Sequence, residues 1–382
     1  MQKLEIRAVA SAAAVLGISV VFVDWFTLKV NRLVTGQGLG LFESLGPLLG
    51  AFLLLSWVVV LVIALIRPRW SNLVYPFLFF IVLFEVLAGS GHAAARLLAG
   101  AGELERVSLS GGFWVSIFAV YLFYFAITRQ WQPSRTLIMI GAPVAVVAIA
   151  ASGWLDSFSV IVEYQAQRAR FAAELGRHLS IFGVSLAAAA IIGIPLGIWI
   201  SKGSKAARPV LWILGIFQTV PSLALFGLLL VTLVAIRNAF PSLGISAIGF
   251  LPAVIAITLY ALLPIVQNTY TGLKSVANEV CDAGAGVGMS PFQLLSNVEL
   301  PLAALRVISG LRIAAIQAVG GTTVAALIGA GGLGFFIFQG LGQGASDLIL
   351  LGALSVAILA IFVSAIFQFI EDRLRPWQGA RT

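Results

Sequence analysis

Apolar runs of near membrane-spanning length, separated by short polar turns, set the pattern of this chain. A helix needs about 20 predominantly apolar residues to cross a bilayer. The runs predict ten spans, at 8–26, 45–66, 72–90, 111–128, 136–153, 179–201, 209–235, 247–270, 305–330 and 348–370. Pro221 interrupts the seventh. Between the fifth and sixth lies LDSFSVIVEYQAQRARFAAELGRHL, charged and helix-prone, with Phe158, Ile161, Val162, Phe171 and Leu175 at mixed helical spacing. It predicts an amphipathic helix lying on the membrane surface. The pattern divides the chain into a five-span region over 1–154, an external amphipathic linker over 155–177, a second membrane region over 178–372 with a polar loop at 279–303, and a tail at 373–382. The expected class is all-α, a polytopic helical membrane protein with about ten transmembrane helices.

Composition agrees with that class. The 382 residues are 60% hydrophobic and 10% charged, where a soluble domain carries about 25% charged residues. The net charge of +8 would suggest a nucleic-acid partner on a soluble protein. Here it reflects basic loops, and no nucleic acid is expected. With the N-terminus inside, cytoplasmic segments, with Arg312 counted among them, hold 15 of the 23 lysines and arginines, including the short turns RPR at 67–69 and KGSK at 202–205. The excess of basic residues on the cytoplasmic side sets orientation. Both termini and the 279–303 loop are then cytoplasmic, and the tail with them. Lys3, Arg7 and the first apolar run look like a signal peptide. Asp24 and Lys29 stand where a cleavage site belongs, so the run is expected to be a retained helix. A single cysteine, Cys281, excludes an internal disulfide, and His92 and His178 match no metal-ligand spacing.

The loop from Asp282 to Pro301, DAGAGVGMSPFQLLSNVELP, is the most informative stretch. Asn278 to Ala283 can start a helix capped by Asn278 or Ser275. Gly284, Gly286 and Gly288 weaken it and permit close approach or a left-handed turn. Ser290-Pro291 restarts a helix, with serine as N-cap and proline at the first position. Phe292, Leu294, Leu295 and Val298 give a partly apolar face. Leu300-Pro301 is expected to stop the helix, because the residue before proline avoids helical geometry. Two readings stand on this physics: a helix lying on the membrane surface, or one that fills a partner's groove.

The frame of the loop is an acid, two small residues, three residues, Gly288, nine residues, Val298, one residue, then Leu300-Pro301. It resembles the EAA loop of permease subunits in binding-protein-dependent ABC importers. Asp282 stands where glutamate is usual and Gly284 where alanine is usual. The resemblance implies a coupling helix near Ser290–Ser296, seated in a cleft of an ATP-binding cassette ATPase. It implies docking roles for Asp282, Ala283, Gly284, Gly288, Ser290, Pro291, Phe292, Leu295, Val298, Leu300 and Pro301. HLSIFGVSLAAAAIIGIPLGIWIS, QTVPSLALFGLL, LYALLPIVQNTYTGL and ALIGAGGLG are similar to successive parts of the osmoprotectant branch of these permeases, which import glycine betaine, choline and similar quaternary ammonium solutes. That likeness covers about 175–372. It implies a type I ABC importer permease core in the C-terminal half, a bacterial inner-membrane location, an external substrate-binding protein, and a second permease copy or a sister permease. ATP and Mg would be bound by the ATPase, leaving this chain no cofactor. An added N-terminal membrane region resembles one branch of the same permeases. Amino acids or other small solutes remain alternative cargo, and an ion-coupled secondary transporter is a further alternative.

Polar residues inside the spans are candidates for a translocation pathway: Gln218, Thr219, Pro221, Ser222, Tyr260, Asn268, Gln317, Thr322 and Thr323. Prolines free carbonyls that neighbours or water must satisfy, and such broken helices often line transport paths. Hydrogen bonding between helices is the alternative for each. Phe217, Phe226 and Tyr260 can meet a quaternary ammonium through cation–π contact or simply pack. Glu85 is an intramembrane acid, expected near the end of the third span, and a functional candidate on that ground. Asp24 is expected near the outer interface, in water. Gly193 and Gly197 form a GxxxG pair that allows close helix packing. Gly329–Gly334 reads GAGGLG, but no strand precedes it, so it is not a nucleotide fingerprint; a flexible external turn is expected, with contact to a binding protein as the functional alternative. The sequence has no GxxxxGK[ST] loop, no Ser/His/Asp set and no metal cluster, so an enzyme is not expected.

Overall fold

The computed structural model describes residues 2–66, 70–102, 104–130, 132–203 and 205–374. The RPR turn at 67–69, Ser204 of the KGSK turn and most of the expected tail lie outside the described residues. Contacts divide the chain into two compact units. One is Met1–Ala166 with Gln343–Asp347, the other Gln167–Gly342 with Leu348–Thr382.

The first unit holds α1 (Gln2–Ser19), α2 (Leu41–Leu45), α3 (Pro47–Ile66), α4 (Ser71–Phe84), α5 (Ser90–Leu98), α6 (Gly111–Gln130), α7 (Gln132–Ala151) and α8 (Ser159–Ala166). It also holds an element that the hydropathy pattern does not foretell. Strands β1 (Phe26–Lys29), β2 (Gln37–Leu39) and β3 (Arg106–Leu109) form an antiparallel sheet in the order β2-β1-β3. Phe26 lies opposite both Leu39 and Leu109. Strands this short carry too few alternations to register as a pattern. Trp25, Phe26, Trp57, Phe79 and Phe123 are fully or almost fully buried and form much of the aromatic core. Lys29 and Asp347, both buried, pair at 3.2 Å, and Ser108 Oγ donates to Asp347 Oδ2 at 2.7 Å. Asp24 is exposed, as expected.

The second unit holds α9 (Arg168–Ser201), α10 (Ala207–Thr219), α11 (Ser222–Ala239), α12 (Phe250–Lys274), α13 (Asn278–Gly286), α14 (Pro291–Leu294), α15 (Leu300–Ala325), α16 (Gly334–Gln343) and α17 (Ser346–Leu374). Residues 168–177, expected in a surface linker, are the first turns of the 34-residue α9. The expected seventh span is two helices. Val220 is extended, at φ −71° and ψ 126°, as a residue before proline prefers. Helix α12 is the centre of the unit. A Cβ on Gly193 of α9 would lie 2.9 Å from Ile265, and one on Gly197 2.6 Å from Thr269, so the GxxxG pair sets the α9–α12 approach. Gly310 of α15 does the same against Asn268, at 2.7 Å.

Across the described residues, 8 helices are long and apolar enough to cross a membrane. Two shorter apolar helices, Ala8–Phe22 and Arg135–Ala151, coincide with the first and fifth expected spans.

Candidate functional site

The 282–301 loop folds as a helix, a glycine turn and a second helix. Helix α13 is capped at Ala277, without a side-chain bond, rather than at Asn278 or Ser275. Ser275 Oγ instead closes the end of α12, donating to the Gly272 carbonyl at 2.7 Å. Asp282 and Ala283 are exposed on α13 and Gly284 is buried. Gly288 takes φ +85°, a left-handed turn open to glycine at little cost. Ser290 then caps α14. Its Oγ accepts from the Gln293 N–H at 3.3 Å, and Gln293 Oε1 accepts from the Ser290 N–H at 2.8 Å. That reciprocal pair is a capping box with Pro291 in the first turn.

The expected stop at Leu300-Pro301 is absent. Leu300 is helical, and Pro291–Ile328 forms one 38-residue helix. A π turn at Leu295–Glu299 comes just before Pro301. Proline has no N–H and its ring presses on the carbonyl four residues back. The wider π turn accommodates both effects without ending the helix. Leu295, Val298, Leu300 and Ser296 are therefore turns of the same rod as Gln317, Thr322 and Thr323.

Lys202 at the end of α9 pairs with Glu299 in the π turn, and Cys281 Sγ donates to Glu299 Oε1 at 3.8 Å. Burial first, and then the Glu299 carboxylate, push the Cys281 thiol above its usual range. Two large apolar side chains stay uncovered: Val287 is 77% exposed and Phe292 76%.

The pathway candidates divide. Gln218, Tyr260 and Gln317 come together. Gln218 Nε2 donates to the Tyr260 carbonyl at 2.8 Å and lies 3.5 Å from Gln317 Oε1. The Tyr260 hydroxyl donates to the Val220 carbonyl at 2.6 Å, across the break made by Pro221. Thr219 and Ser222 flank that break, and Thr219 bonds back to Ile216. The others satisfy themselves on their own helices. Asn268 donates to Pro264, Thr322 to Ala318 and Thr323 to Val319. Thr322 is fully buried, and Phe226 belongs to a hydrophobic core cluster with Ile257 and Ala318. Packing accounts for both.

The 329–334 turn is pinned rather than flexible. Gly331 and Gly332 take positive φ, and Ala330 and Leu333 are buried. The Gly332 N–H donates to Glu174 Oε2 at 2.7 Å, and the Leu333 N–H to His178 Nδ1 at 3.2 Å. Arg170 holds the other Glu174 oxygen at 2.8 Å and stacks over Phe335. Spacing of four residues places Glu174 and His178 on one helix face, a signal present in the sequence. A second set, Arg312 with Glu371 at 3.1 Å, Gln368 and Ser364, joins α15 to α17. Arg312 lies within the 38-residue Pro291–Ile328 helix. Among the described residues no group of three or more metal-ligating side chains occurs.

A helical membrane unit with a capped, exposed loop and a proline-broken polar cluster is the class of a transporter's membrane subunit. Residues 189–378 match the family described as binding-protein-dependent transport system inner membrane component, and residues 3–161 match the N-terminal domain described for the ABC transporter permease YehY. The carnitine transport permease protein OpuCB of Listeria monocytogenes is 36% identical over 57% of this chain and 94% of that one. The glycine betaine/carnitine/choline transport system permease protein OpuCB of Bacillus subtilis (strain 168) is 35% identical over 53% and 87%. A solved inward-facing MetNI methionine ABC transporter aligns over 55% of this chain and 97% of its own at 24% identity, with a TM-score of 0.44. The chain belongs to the binding-protein-dependent transport inner-membrane component family. It is a transport component and carries the permease region in its C-terminal half.

Proposed function

We propose that this chain is the permease subunit of an ATP-driven importer for a quaternary ammonium osmoprotectant such as glycine betaine, choline or carnitine. The observation that carries the cargo class is the identity to permeases of that naming, spread over nearly their whole length. The Gln218–Tyr260–Gln317 cluster supports it. These groups are polar but carry no formal charge, so a permanently charged solute can pass without being trapped.

The subunit lies in a bacterial inner membrane with both termini cytoplasmic. A separate ATPase binds ATP and Mg and grips the 282–301 loop, where Asp282, Val287 and Phe292 are exposed. An external binding protein delivers the cargo. Two permease cores, identical or sister copies, close around the path with two-fold symmetry. The 38-residue rod gives the mechanics. At about 1.5 Å per residue it spans roughly 57 Å. Its first turns are the coupling helix and its later turns carry Gln317. Movement of the gripped end therefore moves the polar cluster, and nucleotide biases the inward-to-outward equilibrium.

The test is uptake by proteoliposomes holding the permease, its ATPase and its binding protein. ATP-dependent uptake of a labelled betaine, choline or carnitine is expected. Uptake of an amino acid in its place would reassign the cargo, and uptake driven by an ion gradient without the ATPase would reject the importer.

A further inference from the structure

Hydropathy places Glu85 near the end of a span, and the structure places it at the midpoint of one. Leu73–Leu98 is a single 26-residue apolar span of the first unit, and Glu85 opens a π turn, Glu85–Gly89, within it. The side chain is 8% exposed. Ser56 Oγ on α3 donates to Glu85 Oε1 at 3.0 Å. Glu85 Oε2 is buried and has no hydrogen-bond partner.

An ionised carboxylate offers about four acceptor positions. Glu85 fills one, with a neutral donor. No described lysine, arginine or histidine pairs with it. The π turn packs against α3, α4, α5, α6 and α7. Helix α3 carries no ionisable side chain. On α5, His92 is exposed and Arg96 is engaged with the Ser44 carbonyl at 3.1 Å. Helices α4 and α6 contribute Tyr75, Tyr121 and Tyr124, with Arg129 in the last turn of α6, and Arg135 on α7 is exposed. An unpaired charge at this depth is expensive. The arrangement suits a carboxylic acid instead, with Oε1 accepting from Ser56 and Oε2 carrying the proton. Other polar side-chain atoms of the same unit are buried without a hydrogen-bond partner, among them Ser116 Oγ on α6 and Trp57 Nε1 beside Ser56 on α3. The interior of this bundle thus holds more polar groups than its own bonds satisfy, at a π turn, where backbone groups leave the ordinary helix ladder.

We infer that Glu85 is a proton-binding site of the N-terminal unit, holding one exchangeable proton at the membrane midplane. A proton suits the site better than a metal ion. Hard cations take about six or more oxygen ligands, and the side chains here supply two carboxyl oxygens and one hydroxyl. Ser56 fixes one oxygen and no protein acceptor holds the proton on the other, so the proton passes to water when water reaches the π turn. Its loss puts an uncompensated charge inside the bundle, and the π turn must then hydrate or shift.

Infrared difference spectroscopy on the full chain in lipid nanodiscs tests this, with pH titrated and Glu85→Gln compared with wild type. The expected result is a protonated-carboxyl band at neutral pH that is wholly lost in Glu85→Gln and disappears reversibly as pH rises. Glu85→Asp should keep the band at a shifted frequency, and it serves where the amide variant does not fold. Absence of the band from wild type at neutral pH overturns the site. So does a band that stays until the protein unfolds, which is a permanently neutral group. A band displaced by sodium or potassium at fixed pH hands the site to a metal ion and equally overturns it.

Discussion

Gln218 donates its side-chain amide to the carbonyl of Tyr260, and Pro264 is the reason that carbonyl is available. Proline lacks the N–H that would reach back four residues to it. Tyr260 in turn sends its hydroxyl to Val220, whose carbonyl lies outside both α10 and α11. Each of two proline-related breaks is thus satisfied by a side chain from the other helix.

Gln218→Ala leaves the Tyr260 carbonyl without this donor. The cost is about 1–3 kcal/mol where water does not replace the amide. Uptake kinetics should change while the ATPase still co-purifies. Unaltered uptake with normal assembly would remove Gln218 from the pathway. Tyr260→Phe should lose about 1 kcal/mol, read as a lower melting temperature in detergent.

Phe292→Ser separates docking from folding. The side chain is 76% exposed, so stability of the isolated chain should hold within about 0.5 kcal/mol. Recovery of the ATPase in a pull-down should fall. Equal recovery would show that the loop does not grip a partner through this residue.

Gly288→Leu acts through the backbone alone, because a Cβ there meets nothing within 4 Å. The left-handed conformation costs a non-glycine residue about 1–2 kcal/mol. The turn should re-form differently and weaken ATPase binding. Gly284→Ala acts by contact, since its Cβ would lie 2.7 Å from Leu294 Cδ1. It should displace Leu294 without altering the turn, which a crosslinking map of the loop can check.

Cys281 reports on the base of the loop. Burial and the Glu299 carboxylate raise its thiol. Glu299→Gln removes one of those causes, so more thiolate exists at a given pH. Maleimide labelling should accelerate, with its pH profile moved to lower pH. An unchanged profile would mean that Glu299 does not face the thiol in solution.

Glu174→Ala frees the Gly332 N–H just beyond the Ile328 end of the rod. Loss of that bond costs about 1–3 kcal/mol. Amide exchange should rise at 329–334 and remain unchanged at the capped 290–294 turn.

Much of this molecule is local information. Runs of apolar residues marked the spans, because the length of such a run is a property of the run. Ser290-Pro291 announced its N-cap and the three glycines before it a left-handed turn, because both depend on residues within one turn of chain. The three-stranded sheet stayed hidden behind strands of three or four residues. Tertiary structure decided the rest. Leu300-Pro301 reads as a stop, yet the π turn carries the helix through it. Asn268, Thr322 and Thr323 read like Gln218, yet they bond to their own helices, since the carbonyl an amide or hydroxyl reaches depends on which helix packs beside it. Glu174 and His178 share a face by spacing alone, but only the folded chain brings Gly332 and Leu333 to them. Glu85 reads as a span end, and the continuation of its helix through the π turn puts it at the middle of a 26-residue apolar helix. Sequence determined which segments enter the membrane and how the loop begins. Packing determined which polar groups meet there, because that depends on contacts between residues far apart in the chain.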